Sequence, residues 1–585
     1  MLQHELVLKF RGRVKTMIKK EPAGLLRKAS IAFFTFVMLL SSGIIFSAEK
    51  KTVTILGYAV IPDLVQTLEV LEKIAGAVDP VQFQPGSIKS QFGVVLNDPD
   101  FQNLDRTKPL VVMVFHKPSN DQAGGPGSDI YYSVFLPAKD KAQYKKVLEA
   151  GNMLCEISGG NVIASNNKSA LDMARGQASL YNKIAAQKAA CNLRMLVKID
   201  SVMKVYKREI DELMKQMQEF QNQQFENPEQ QEQMALAGTL LKIYMHGIYE
   251  LFAQSKDYQL DITLDENKIV FSSEHSTRPG TALNLFFDSA VPGKNKCITL
   301  LPEGSDFSYA GYFDMARCRN LIDSIISGAV RRDPSLKQNI DMNIIDAYKK
   351  VLGMYDGEIA FVYGFDNSGR LKMDFAAATG SSAEEHLAVN EKFIEMYNQT
   401  VKKLLQNDQN LPAYTLQKNI RKSSGYDVHR YTFNTESISM SEDDKDAFRT
   451  MFGDEFRMEY AVCNGYVVAS TDPQGLDRII KNTITGGNSK DLQAIINLGP
   501  GYDSYADFDI IGLLAKISEM ESRMGGGTAG AGMQNLVQEL KKLDYGDRII
   551  TYSSKYRKGS SYSKYHVPVK IITEAIRLSR EQNLN

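Results

Sequence analysis

Hydrophobic and polar positions change their spacing repeatedly along the chain. Segments such as Tyr258–Asp265 and Leu371–Phe375 alternate with a period of two, which is typical of strands because successive side chains point to opposite faces. Residues 383–405 place their apolar positions three and four apart, as an amphipathic helix does. Hairpins are followed by helices again and again. We therefore expect an α+β fold with mostly antiparallel sheets and helices packed on one face.

One short motif occurs twice in the chain, 305 residues apart. Residues 160–165 read Gly-Asn-Val-Ile-Ala-Ser and residues 465–470 read Gly-Tyr-Val-Val-Ala-Ser. Leu-Asp follows each copy, at positions 171–172 and 476–477. A repeat at this distance indicates two similar halves of domain size, because solenoid repeats are far shorter.

Five features recur in the same order in the two halves. They are a strand that ends in Asp before a helix, a two-strand unit followed by a helix, the repeated motif in its hairpin, a second strand–Asp–helix unit, and a terminal hairpin. The paired segments are 52–63 and 307–314, 109–136 and 358–377, 160–172 and 465–477, 195–216 and 504–524, and 258–287 and 548–580. The shared order predicts an internally duplicated protein.

The predicted division of the chain follows from this repeat. Residues 49–290 form the first α+β half and residues 305–585 the second, with 291–304 as the linker. Pro-Gly at 292–293 and Pro-Glu-Gly at 302–304 are typical of such a connection. Residues 1–48 precede both halves.

The N-terminal segment 1–48 predicts export. It carries eight Lys/Arg residues and then an apolar stretch that ends in Ser-Ala before Glu49, as a signal peptide does. Translation from Met17 would give a signal of standard length. The alternative is an uncleaved membrane anchor, because the apolar run approaches the roughly 20 residues that span a bilayer. The expected location is the bacterial periplasm or cell surface, and any membrane contact is expected only through this segment if it stays uncleaved.

Charge and cysteine content narrow the class of protein. Residues 49–585 contain 61 basic and 67 acidic residues, a net charge of −6, which does not suit binding to nucleic acid. The five cysteines do not recur at matching places in the two halves. We expect them to be mostly buried small apolar residues, since a chain of this size folds without disulfide bonds. Two disulfides and one free thiol are the alternative for an exported protein.

Four aspartates sit where predicted strands lead into helices. They are Asp63, Asp200, Asp314 and Asp509. A metal or acid–base role is one interpretation of a repeated Asp. Capping is the better one, because an Asp carboxylate accepts hydrogen bonds from the first N–H groups of a helix.

Three other motifs suggest chemistry that their context does not support. Residues 525–530 match G-x-G-x-x-G, but they follow a helix instead of a strand and so lack the setting of a dinucleotide site. His246 and Glu250 share a helix face without the second His of a zinc protease. The acidic run 441–446 lacks the spacing of a calcium loop. We therefore assign no catalytic, cofactor-binding or metal residue.

The expected function is non-catalytic. We expect an exported binding or scaffolding protein that contacts an envelope protein or a lipid. The first alternative is a carrier of an apolar ligand in a groove between the halves, and the second is a hydrolase with a non-local active site. Any specific function should lie in that groove or in the parts that the halves do not share, chiefly the loop Asn120–Ser128 and the helix breaks at 227–229 and 525–532.

Overall fold

The computed structural model describes most of the chain after residue 52. The described residues are 53–78, 83–117, 130–208, 244–288, 295–302, 305–339, 342–366, 370–404, 414–434, 455–487, 502–513 and 539–583, except 166 and 188, with a few isolated positions between these ranges. Several predicted features lie outside the described residues: segment 1–48, the loop 120–128, the helix breaks at 227–229 and 525–532, and the acidic run 441–446.

Strands and helices follow one another along the described chain. The strands are β1 (Thr54–Ile61), β2 (Leu110–His116), β3 (Ile130–Leu136), β4 (Leu154–Ser158), β5 (Asn161–Ser165), β6 (Leu193–Val197), β7 (Ser255–Leu264), β8 (Lys268–Thr277), β9 (Phe307–Tyr312), β10 (Tyr355–Phe365), β11 (Leu371–Thr379), β12 (Tyr414–Ser423), β13 (Tyr426–Asn434), β14 (Glu455–Cys463), β15 (Tyr466–Ser470), β16 (Ser504–Phe508), β17 (Ile550–Arg557) and β18 (Ser560–Pro568). The helices are α1 (Leu64–Val78), α2 (Ser87–Val95), α3 (Lys141–Ala150), α4 (Lys168–Arg175), α5 (Ala178–Ala185), α6 (Ile199–Val205), α7 (Ala282–Phe287), α8 (Cys297–Leu300), α9 (Met315–Arg332), α10 (Leu336–Asn339), α11 (Met342–Gly353), α12 (Ala383–Leu404), α13 (Pro473–Thr485), α14 (Tyr545–Arg548) and α15 (Val569–Asn583). A further helical segment covers residues 244–254.

All 18 strands belong to one antiparallel sheet. Strands β1–β8 form a first arm with the spatial order β4-β5-β3-β2-β1-β6-β7-β8. Strands β9–β18 form a second arm with the order β12-β13-β14-β15-β11-β10-β9-β16-β17-β18. The prediction of a mixed helix-and-strand protein with antiparallel pairing is confirmed.

The first arm is buried on both faces of its sheet. Leu136 and Phe135 are neighbours in β3 and point to opposite faces, and each belongs to a different apolar cluster. Helices α1, α2 and α3 contribute to the cluster of Leu136, whereas α4 and α5 contribute to that of Phe135. The prediction of helices on one face is therefore wrong for this arm. The unbroken apolar run Leu-Val-Val-Met-Val-Phe in β2 is what burial on both faces requires.

The second arm has its main core under two helices. Residues from α8 and α13 pack there against strands β9, β10, β11, β14 and β15. Helix α8 lies inside the segment predicted as the linker, and its Cys297, Ile298 and Leu300 are buried. Part of that segment thus belongs to the core of the second arm.

The two arms meet at the β8–β18 pair. Nine residue pairs join these strands, from Lys268↔Pro568 to Ser276↔Ser560. Beyond them, the Oγ1 of Thr277 donates to the carbonyl of Gly559 at 2.6 Å. The arms therefore share one continuous hydrogen-bonded sheet.

Three of the four junction aspartates cap helices as predicted. The carboxylates of Asp63, Asp314 and Asp509 accept the backbone N–H three residues further on, at 2.7–3.0 Å. The prediction is wrong for Asp200, because α6 begins at Ile199 and its N-cap residue is Lys198. Asp200 instead lies in the first turn of that helix.

All five cysteines fall within the described residues, where they are free thiols. Cys297 and Cys463 are buried in the second-arm core, and the other three are half-buried. Across the part of the chain that the structure describes, no helix has both the length and the apolar character needed to cross a membrane.

Candidate functional site

A polar cleft opens on the second arm, on the side of the sheet that carries α13. Its volume is about 470 Å³. We call it the arginine cleft. Its lining residues are Asp366, Arg370, Leu371, Lys372, Arg430, Phe452, Gly453, Glu455, Phe456, Arg457, Glu459, Thr471, Asp472 and Pro473.

The β12–β13 hairpin supplies one side of the cleft. Its turn places Ser424 and Gly425 at φ 49° and 90°, and two consecutive positive φ values are the requirement of a type I′ turn. The sequence predictions do not include this hairpin. Its signals were the Ser-Gly dipeptide and the alternation of Tyr426–Asn434, which together are typical of a tight hairpin.

A buried carboxylate binds two arginines of that hairpin. The side chain of Glu459, on β14, is only 3% exposed. Its Oε2 accepts from Nε of Arg421 at 2.9 Å, and its Oε1 accepts from Nη2 of Arg430 at 2.7 Å. Arg421 also donates from Nη1 to Oδ1 of Asp477 on α13, at 2.6 Å. Hydrogen-bonded pairing of this kind offsets the cost of burying the charge of Glu459.

The N-terminus of α13 forms the rim opposite the hairpin. Asp472 is its N-cap, and Oδ1 of that residue accepts from the N–H of Gln474 at 3.1 Å. The other oxygen of Asp472 lies 3.5 Å from Nζ of Lys372 and 3.6 Å from Nη2 of Arg478. This carboxylate is therefore engaged on both sides.

A second buried carboxylate lies under the first turn of α13. Asp374 is 8% exposed, and its Oδ1 accepts no hydrogen bond from a described residue. Burial raises the pKa of Asp374, and the hydroxyl of Ser470 offsets part of that increase. A Cβ on Gly475 of α13 would lie 2.8 Å from Oγ of Ser470 and 3.2 Å from Oδ1 of Asp374. Glycine at position 475 thus lets the helix approach the two polar groups.

The predicted pair His246 and Glu250 lies at a packed helix edge. Both side chains are buried, and Oε1 of Glu250 accepts from Nη2 of Arg332 on α9 at 2.6 Å. Burial lowers the pKa of His246. Among the described residues, no three His, Cys, Asp or Glu side chains form a group that could hold a metal ion.

Two histidine–hydroxyl contacts resemble parts of a hydrolase site, but their proton directions do not suit one. Nε2 of His275 lies 2.7 Å from Oγ of Ser255, and that hydroxyl donates to the carbonyl of Leu251. Nε2 of His386 lies 2.8 Å from Oγ1 of Thr379, which donates to the carbonyl of Met354. Because each hydroxyl has a single proton, each histidine is the donor and is not a base for that hydroxyl.

Comparison with known proteins gives the chain no family. No family model matches it, and neither a curated protein nor a solved structure is significantly similar to it. The functional argument therefore depends on the geometry of the arginine cleft and on the sequence.

Proposed function

We propose that this protein is an exported, non-catalytic binding protein whose ligand occupies the arginine cleft. One observation carries the proposal. The buried Glu459 binds two arginines of the β12–β13 hairpin beside a cavity of about 470 Å³. A cavity of this size with convergent polar groups is typical of small-ligand sites. Fixed side chains lose little conformational entropy when a ligand binds.

We further propose that residues 49–290 and 305–585 are duplicated halves. The spatial order of β4-β5-β3-β2-β1-β6-β7-β8 is the same as that of β14-β15-β11-β10-β9-β16-β17-β18. The central pairing is also reciprocal. If Lys268 corresponds to Ser560 and Ser276 to Pro568, the pairs Lys268↔Pro568 and Ser276↔Ser560 exchange places. Reciprocal contacts of this kind are typical of a two-fold interface.

The duplication supports a specific role for the arginine cleft, because the first arm lacks its main parts. The paired registers put Leu154 at the place of Glu459 and Ser133 at the place of Asp374. In the first arm, α3 ends at Ala150 and β4 starts at Leu154, a gap too short for a hairpin. Glu459 and the two arginines of the β12–β13 hairpin are thus additions to the scaffold that the halves share.

Export to the periplasm or cell surface is proposed from the N-terminal segment 1–48 alone. Its basic start, apolar stretch and small residues before Glu49 support a cleaved signal peptide. N-terminal sequencing of the protein from a native envelope fraction tests this. A chain that begins at Glu49 supports cleavage, whereas an intact segment supports the anchor.

One observation favours a second candidate, a carrier of an apolar ligand between the arms. Tyr258 on β7 and Tyr565 on β18 are 37% and 44% exposed, close to the β8–β18 pair. The ring centroid of Tyr565 lies 4.7 Å from that of Tyr552 on β17. Exposed aromatic rings in the middle of a sheet suit an apolar ligand.

Native mass spectrometry of the protein purified from envelope extract tests the two candidates. We expect a small polar molecule on the wild-type chain and its loss in Lys372→Trp, because the larger ring fills the cleft. Lys337→Trp, an equally large change at an exposed position of α10, is the matched control and should keep the ligand. Retention of the molecule by Lys372→Trp would place it elsewhere, and a bound lipid would favour the carrier.

A further inference from the structure

We propose that the ligand of the arginine cleft carries an anionic group, a carboxylate or a phosphate, attached to an apolar body. This inference rests on the proposed function and specifies its ligand. It follows from counting which polar groups around the cleft are already used and which are still available.

Each carboxylate that lines the cleft already accepts at least one hydrogen bond from a described residue. Glu459 binds Arg421 and Arg430 with its two oxygens, and Asp472 caps α13 while it faces Lys372. Oε2 of Glu455 accepts from Nε of Arg457 at 2.7 Å. Oδ1 of Asp366 accepts from the N–H of Arg370 at 3.0 Å. A cationic ligand would have to compete with these contacts.

The N–H donors of the cleft form few hydrogen bonds with described residues. A guanidinium offers five N–H donors, and Arg430 uses Nη2 for Glu459 and forms no other side-chain hydrogen bond with a described residue. The guanidinium of Arg370 forms no ion pair with a described residue. Among the described residues, Nζ of Lys372 has one ion-pair contact, with Asp472 at 3.5 Å. Formal charges balance around the cleft, but Arg370, Lys372 and Arg430 keep N–H donors that no described residue uses.

Arg430 is positioned by its neighbours to donate hydrogen bonds to a ligand. Glu459 faces it directly across the β13–β14 pair and is itself held by Arg421 from the far side. This arrangement restrains one end of the Arg430 guanidinium before any ligand arrives. A planar guanidinium matches carboxylate and phosphate oxygens in a two-point contact, which suits an anion better than a neutral polar group.

The cleft also has an apolar wall. The rings of Phe452 and Phe456 lie edge to face with centroids 5.6 Å apart, and Leu371 lines the cleft as well. A bound inorganic ion would leave this apolar wall exposed to water. The combination of free arginine donors and aromatic rings therefore favours an anion with an apolar or flat body.

The experiment uses three probes of similar size on the full mature chain. Phenyl phosphate and benzoate carry an anionic group, and benzylammonium carries a cation on the same ring. Isothermal titration calorimetry at low salt should show saturable binding of at least one anion and at least about tenfold weaker binding of benzylammonium.

Two variants locate the contact. Arg370→Gln should weaken the anion at least about tenfold, and it is safe for folding because Arg370 has no ion pair with a described residue. Arg430→Gln should weaken the anion as much or more. Arg331→Gln, an exposed arginine on α9, is the matched control and should bind like the wild type.

Each outcome decides between the two proposals. Anion binding that depends on Arg370 and Arg430 supports both. Tighter binding of benzylammonium, with loss in Lys372→Trp, overturns the anionic ligand and leaves the cleft as the binding site. Anion binding that Arg370→Gln and Arg430→Gln leave unchanged overturns the assignment of the anion to this cleft. Binding of none of the three probes, together with no small molecule on the native protein, overturns both proposals.

Discussion

Arg430 and Glu459 are direct neighbours across the β13–β14 pair, and Nη2 of Arg430 lies 2.7 Å from Oε1 of Glu459. This contact ties the β12–β13 hairpin to the rest of the second arm in the middle of its polar face. Because Glu459 is almost fully buried, its charge depends on the two arginines for compensation. The same contact therefore serves the stability of the arm and the geometry of the arginine cleft.

Glu459→Ala should destabilise the second arm. Removing one member of a buried ion pair typically costs about 3–5 kcal/mol, and we expect about 3 kcal/mol because Arg421 and Arg430 remain 28% exposed and can be hydrated. Urea unfolding followed by circular dichroism measures the change. Glu455→Ala removes a carboxylate from an exposed pair of the same cleft and should cost at most about 1 kcal/mol. Equal losses in the two variants would show that Glu459 is no more important than a surface charge.

Asp374→Asn should stabilise the protein at neutral pH. Burial raises the pKa of Asp374 in the folded protein, so above that pKa the folded chain holds a charge that burial disfavours. This cost shrinks as the pH falls through the raised pKa and disappears below the usual carboxyl value near 3.8. The free energy of unfolding of the variant should therefore exceed that of the wild type at pH 7, and the difference should narrow toward pH 4.

Urea unfolding at several pH values between 4 and 7 gives that difference directly. Asp346→Asn, on an exposed side chain of α11, is the control and should stay within about 0.5 kcal/mol of the wild type throughout. A variant at position 374 that is less stable than the wild type at pH 7 would contradict the expected sign.

Much of the fold was predictable because its signals are local. Strand β7 alternates apolar and polar residues and a two-residue turn joins it to β8, and the caps at Asp63 and Asp314 follow from residues within one helical turn. The covering of both faces of the first-arm sheet does not follow from such local signals. The face that each helix covers depends on how the chain crosses the sheet. The apolar run in β2 indicates only that both faces are buried, not which helices bury them.

The arginine cleft could not be predicted, because its residues are distant in sequence. Arg430 and Glu459 line the cleft from two strands, Ser470 and Asp374 continue the same row on two more, and only the strand registers align the four. A one-residue shift of any register would turn a side chain to the other face. The acidic Glu459 also has no local partner that would mark it as buried.

The native thiols should react slowly with Ellman's reagent. Burial raises the pKa of Cys155 and Cys191 to about 11 and also raises the pKa of Cys297 and Cys463 above the usual range. At pH 8 the thiolate, which is the reactive form, is therefore scarce. Stopped-flow absorbance should show slow labelling of the folded chain, and the same chain in guanidinium should expose five reactive thiols. Rapid labelling of one native cysteine, or fewer than five after unfolding without reductant, would contradict this prediction.

Gly475→Ala should destabilise the protein although position 475 lies in a helix, where alanine usually gains up to about 1 kcal/mol over glycine. The added methyl group would lie 2.8 Å from Oγ of Ser470, so α13 or the buried pair beneath it must shift. We expect a net loss of about 1–3 kcal/mol, measured by urea unfolding. Gly546→Ala in α14 is the matched control, because nothing lies within 4 Å of the added carbon, and it should be neutral or stabilising. The shift of α13 should also displace Asp472 at the cleft rim and weaken binding of the anion probe. A variant that is as stable as the wild type and binds the probe normally would show that α13 does not approach Ser470 and Asp374 this closely.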